Sequence, residues 1–206
     1  MMRKAIALLV VVALCGVASG QNLFTNGDFE TGTWAGWSVK GTANGQTLIQ
    51  DVVMYDIDGA GPLPQSLAGR LSVGQITFQS GVWEGVLMTQ SLDLTAGQQY
   101  GFGFDVSAWN TGANNAQGGN FELMVGSSVL ASWSAGSIAS GQQLYGKLSA
   151  QYTPVANGQY EVGLRITRPY VPPAAVTLFQ LVDNAVAVPE PATVGLLALG
   201  LLLRRR

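Results

Sequence analysis

Between residues 21 and 187, apolar side chains recur at every second position, the spacing of a strand that buries one face. Tyr100, Phe102, Phe104 and Val106 form one such face, and Phe121, Leu123 and Val125 another. Val129, Ala131 and Trp133 alternate likewise, as do Leu148, Ala150 and Tyr152, and then Tyr160, Val162, Leu164 and Ile166. Turn residues separate them at Thr95-Ala96-Gly97, Gly126-Ser127-Ser128 and Asn157-Gly158. The spacing around Asn157-Gly158 predicts an antiparallel hairpin of 148–152 with 160–166. Helical periodicity is nearly missing, and short strands at this spacing predict an all-β sandwich or jelly roll. Two polar, Gly-rich stretches, Asn110–Asn120 and Asp56–Gly69, read as long loops on that scaffold.

The two ends follow a different pattern. Arg3 and Lys4 precede an apolar run from Ala5 to Val17 and then Ala18-Ser19-Gly20, so residues 1–20 read as a secretory signal peptide, removed by signal peptidase before Gln21. Residues 188–206 begin with Val188-Pro189-Glu190-Pro191, continue as an apolar run from Ala192 to Leu203, and end in Arg204-Arg205-Arg206. As a helix the run spans about 18 Å against a hydrocarbon layer of about 30 Å. That is short for a permanent transmembrane helix and fits transient anchoring, with the arginines on the cytoplasmic side. Residues 21–187 then form a single exported β-domain.

Composition sharpens this division. Five of the ten Lys and Arg fall in the two tails, whereas eleven of the twelve Asp and Glu fall in 21–187. The central domain therefore carries −6 where the whole chain carries −2, and offers no basic surface for nucleic acid. His is absent, and the single Cys, Cys15, lies in the signal segment. Ser–His and Cys–His nucleophilic pairs, zinc–thiolate sites and disulfides are thus excluded from the domain. Glu84, Asp105, Glu122 and Glu161 are available as carboxylates, but their spacing singles out no glycosidase pair. Asp56-Ile57-Asp58-Gly59 carries alternating acids but lacks most of a calcium-loop pattern.

The C-terminal order of Pro-Glu-Pro, short apolar run and arginine cluster resembles the PEP-CTERM sorting signal of Gram-negative bacteria. The resemblance implies recognition by an exosortase, a membrane transpeptidase-like cysteine protease, with cleavage near Pro189–Pro191. It also implies export to a cell envelope or extracellular matrix rich in exopolysaccharide. In the central domain, Asn22-Leu23-Phe24-Thr25-Asn26-Gly27-Asp28-Phe29-Glu30-Thr31-Gly32 with Gly36-Trp37-Ser38 resembles the opening strand of carbohydrate-binding modules with a galactose-binding-like jelly roll. Thr89–Leu94 with Thr95–Tyr100 is similar to that family's strand, turn and strand, and Leu181–Val186 to its closing strand. This resemblance implies a structural calcium held by Glu30 and Asp183, with Asp28 as helper; the residues alone allow strand-end acids in water instead.

For a sugar, flat aromatic faces would meet the apolar faces of pyranose rings while polar side chains bond the hydroxyls. Trp109, at the mouth of the Asn/Gly loop, Trp83, beside Glu84, and Trp34 are the candidate platforms, and Arg165 is a candidate donor. Trp37 and Trp133 fall on apolar faces and read as core. The expectation is an exported, non-catalytic β-sandwich that binds carbohydrate or associates with an exopolysaccharide matrix. The alternatives are a structural or adhesive surface protein without sugar binding, and a small glycan-active enzyme.

Overall fold

The computed structural model describes residues 20–57, 66–169 and 176–191. Among these lie twelve strands and no helix. The strands are β1 (Ser38–Gly41), β2 (Gly45–Met54), β3 (Leu67–Gln75), β4 (Glu84–Leu94), β5 (Tyr100–Asn110), β6 (Ala116–Gln117), β7 (Asn120–Val125), β8 (Ser128–Ser134), β9 (Ser137–Ile138), β10 (Gln143–Tyr152), β11 (Gly158–Arg168) and β12 (Leu178–Pro189). One antiparallel sheet has the order β1-β4-β11-β7-β8 and the other β10-β5-β12-β3-β2, with β6 and β9 as a small ribbon. From β3 to β5 and from β10 to β12 each strand passes to the opposite sheet, the alternation of a jelly-roll β-sandwich.

The period-2 pattern explains the layers. Tyr100, Phe102, Phe104, Val106 and Ala108 of β5 face Val162, Leu164 and Ile166 of β11 in one buried core. Trp37 joins this core against Phe24, Phe29 and Phe104. Gly126 supplies the positive φ that closes the two-residue turn between β7 and β8.

Two expectations are corrected. The stretches around Asn157-Gly158 do not form a hairpin: β10 pairs with β5 in one sheet, and β11 with β4 and β7 in the other. Both strands have a face to bury, and residues 153–157 are long enough to cross the layer of about 10 Å between sheets. There Pro154 accepts a bond from the Gly97 amide at 2.9 Å, and Asn157 Oδ1 one from the Ala96 amide at 2.7 Å. The opening motif, secondly, is a chain of turns rather than a strand, because Asn26 and Phe29 have φ of 52° and 54°.

β12 runs through Pro189, two residues past the domain end expected from the sequence. The Glu190 amide then donates to Gln99 O at 2.8 Å. The expected signal segment up to residue 19, the apolar run from Ala192 and the terminal arginines lie outside the described residues. Among the described residues no helix is long and apolar enough to cross a membrane.

Candidate functional site

The outward side of the β1-β4-β11-β7-β8 sheet carries a cleft of about 320 Å³ lined by Thr42, Trp83, Glu84, Glu122, Arg165 and Thr167. Arg165 lies between the core residues Leu164 and Ile166, so alternation turns it outward, and register sets it opposite Glu122. Its Nε–H donates to Glu122 Oε2. That bond holds the guanidinium above its ordinary pKa against partial burial, with the charges of Glu122 and Glu84 adding to it. On the other side of the cleft Thr42 Oγ1 donates to the Glu84 carboxylate and accepts the Gly85 amide at 2.9 Å. Trp83 is half-buried just before β4. An indole, two carboxylates, a guanidinium and two hydroxyls thus surround one open space.

Trp109 stands on the outward face of the other sheet, so the candidate residues do not form a single site. It belongs to a second apolar cluster with Ile57, Ala68, Phe179 and Leu181. Tyr55, reaching over from the end of β2, stacks on Trp109 at 6.2 Å and 29° between planes. Its hydroxyl lies 3.3 Å from that of Tyr145, which is 56% exposed. Burial, and then the bond to Tyr145, pushes the Tyr55 phenol well above its ordinary pKa. Arg70 lies over the Phe179 ring at 4.9 Å and pairs with Asp51 through two bonds of 2.8 and 2.5 Å. Trp34 packs edge-on to Phe29 at 5.0 Å and donates Nε1–H to Asp51 O at 3.0 Å.

The three expected metal ligands lie in a third place. Asp183 is 2% exposed beside a bulge in β12, where Asn184 takes a φ of 49°. Asp183 Oδ1 accepts the Asn184 amide at 2.7 Å, and Asn184 Nδ2 donates to Asp105 Oδ2 at 3.1 Å. Burial pushes the Asp183 carboxyl up to about 7, with the negative charges of Glu30, Asp105 and Asp28 adding to the rise. Glu30 Oε1 accepts the Leu67 amide at 2.9 Å, and Asp28 Oδ1 the Glu30 amide at 3.3 Å. Among the described residues no three His, Cys, Asp or Glu side chains are gathered closely enough to hold a metal ion.

Of the residues expected from the sequence, the structure brings Trp83 and Arg165 to one cleft, together with Thr42 and Thr167, which no pattern marked, and Glu84 and Glu122, which showed no pairing. Glu122 alternates with Phe121 and Leu123 just as Arg165 does with Leu164 and Ile166. That signal becomes a pair only once β7 is known to lie beside β11. Tyr55 and Tyr145 carried no such signal, since their contact joins opposite edge strands of one sheet.

No protein-family model matches the chain, and no curated protein matches it. Among solved structures it is similar to TmCBM61, solved in complex with β-1,4-galactotriose, at 16% identity over 82% of this chain and 99% of that one, with a TM-score of 0.47. It is also similar to the CBM22-1 xylan-binding domain of Paenibacillus barcinonensis Xyn10C, at 14% identity over 84% and 97%, with a TM-score of 0.44. A cyclase from Fischerella sp. TAU in complex with 4-(1H-indol-3-yl)butan-2-one is similar at 19% identity over 82% and 96%, with a TM-score of 0.48.

Proposed function

We propose that this chain is a non-catalytic carbohydrate-binding β-sandwich whose glycan site is the Trp83 cleft. The observation that carries the reading is the gathering of Trp83 with Arg165, Glu84, Glu122, Thr42 and Thr167 around one space of sugar size. A pyranose has apolar C–H faces and a rim of hydroxyls; an indole suits the first, and fixed donors and acceptors suit the second. Arg165 and the Thr42 hydroxyl hold the carboxylates as acceptors aimed at the rim. A glycosidase would instead need one carboxyl free to act as general acid, whereas Glu84 takes its bond from Thr42 and Glu122 from Arg165.

The ends of the sequence support export by a signal peptide and sorting by an exosortase at Pro189, Glu190 and Pro191. The setting would be the envelope or exopolysaccharide matrix of a Gram-negative bacterium, with the C-terminal segment as a transient membrane anchor. Calcium at Glu30 and Asp183, with Asp28 as helper, belongs to the same proposal; the three carboxylates are not gathered around one point in this structure and would close on the ion as it binds. The donor set is all oxygen, as a hard cation prefers, and Asp183 is buried among like charges that a divalent ion would offset. Bound there, the ion would supply positive charge and tie the opening segment to β12.

A glycan array followed by calorimetry on the best binder tests the reading. Binding that falls at least tenfold in Trp83→Ala and in Arg165→Met, but not in Trp109→Ala, is expected. A flat array would replace it with the structural or adhesive alternative, and turnover dependent on Glu84 or Glu122 with the enzyme.

A further inference from the structure

Four buried polar side chains close one end of the sandwich, and three of them each hold a loop or strand in place. Gln75 donates to the carbonyls of Gln79 and Val82 at 3.2 and 2.6 Å and accepts the Gln79 amide at 2.8 Å. Asn110 donates to Asn114 O and Ile138 O at 2.8 and 3.0 Å and accepts the Gly112 amide at 2.9 Å. Gln180 donates to Gly118 O at 2.9 Å and accepts the Val73 amide at 3.1 Å.

The fourth, Arg168, ends β11 with 5% of its surface exposed, and its Nε and Nη1 are buried with no hydrogen-bond partner among the described residues. Glu84 stands opposite it in the β4–β11 register, yet the Glu84 carboxylate takes its bond from Thr42. Burial alone pulls the Arg168 guanidinium down to about 10. It still carries its charge at neutral pH, and an uncompensated buried cation is among the costliest features a core can hold. Beside it sits Gly119 with a φ of 110°. A Cβ there would lie 2.9 Å from Thr167 O, 3.7 Å from Arg168 Cβ and 3.8 Å from Gln180 Nε2. Glycine at this position lets the chain pass this close to Thr167 O and the Arg168 side chain, where any Cβ would collide with the carbonyl.

We propose that Arg168 is an anion site, and that the anion is a carboxylate. The small exposure limits the occupant to a compact group. Guanidinium N–H groups match a carboxylate in shape and charge. The carboxylate comes either from a free small acid or from a uronic acid unit projecting it into this end of the sandwich. The site is separate from the Trp83 cleft and stands whether or not that cleft binds sugar.

Thermal melting with sodium glucuronate, sodium acetate and glucose, paired with a titration of the Arg168 Nε–H resonance by NMR, tests this. Glucuronate is expected to raise the wild-type midpoint and shift the resonance, while glucose does neither. A matching effect of acetate assigns the site to free carboxylates, and no effect of acetate assigns it to the sugar acid. Arg168→Met is expected to melt above wild type without anion and to lose the response. Arg168→Gln, which keeps a polar group, is expected to lose it as well. No response to either anion in the wild type, or an equal response in both variants, overturns the proposal.

Discussion

Asn22 is joined to the closing strand by two hydrogen bonds across more than 160 residues: its Nδ2 donates to Ala185 O at 2.8 Å, and its Oδ1 accepts the Ala187 amide at 2.8 Å. The Leu23 amide donates to Ala187 O at 2.8 Å and the Ala185 amide to Gly27 O at 2.9 Å, so the opening turns are laced along β12. Asn22→Ala removes both of these long-range bonds, and with them a local one that Oδ1 accepts from the Phe24 amide at 3.2 Å. At about 1 kcal/mol for each long-range bond, the loss is about 2 kcal/mol and lowers the melting midpoint by roughly 4–8 °C in a domain of this size. Calorimetry on the variant checks it, and an unchanged midpoint would show that the opening turns hold without Asn22.

A second prediction separates recognition from stability in the cleft. The Arg165–Glu122 pair is half open to solvent, with side-chain exposures of 37% and 23%, so screening leaves it about 1 kcal/mol or less of stabilisation. Glu122→Gln should therefore melt within about 3 °C of wild type while glycan affinity falls. Equal losses of both would assign the pair to the fold alone.

A third concerns pH. The Asp183 carboxyl titrates near 7 in the folded chain against an ordinary value of 3.8, so the folded state holds its proton more tightly than the unfolded state does. The stabilisation is complete below about pH 4 and is lost as pH rises to about 7, with a ceiling of about 4 kcal/mol. In chelator the protein should melt higher at pH 5 than at pH 8. Asp183→Asn should flatten that difference and raise the midpoint at pH 8. Added calcium should raise the wild-type midpoint at pH 8 and leave the Asp183→Asn midpoint unmoved.

A fourth concerns the seam between β8 and β10, edge strands of opposite sheets. The Trp133 ring packs on Phe121 at 5.3 Å and over Gly146, where a Cβ would lie 2.4 Å from the ring. Gly146→Ala forces the indole to move and should cost about 1–3 kcal/mol. Quenching of Trp133 fluorescence by iodide should increase, and an unchanged midpoint would show that the seam yields freely.

Much of the fold was legible because a strand with one buried face imposes alternation that survives in a single sequence. The faces at Tyr100–Val106, Phe121–Val125 and Tyr160–Ile166 are strand faces in the structure. Strand partners were not legible: alternation fixes which face is buried but not which sheet a strand joins, and the Asn157-Gly158 turn suits a crossover as well as a hairpin. The cleft was half legible for the same reason. Trp83 and Arg165 stood out by residue type, whereas Glu122 needs the pairing of β7 with β11 to become their neighbour. Trp109 was equally conspicuous, but which sheet it stands on follows only from the topology. The burial of polar residues such as Gln180 and Arg168 gave no signal, since Gln180 breaks the apolar pattern like any exposed residue and Arg168, like Arg165, reads as a donor or a solvated charge near a strand end.

The amides that hold the loops at the Arg168 end are strand residues, and their bonds reach loop backbone rather than loop side chains. Side chains at the tips, Asn114 and Asn115 on one loop and Gln79 and Ser80 on the other, can therefore be exchanged while the carbonyls and amides that Asn110 and Gln75 grip stay in place. The end of the sandwich is in this sense a socket: the grip is written into the strands, and what is presented outward can be rewritten without disturbing it.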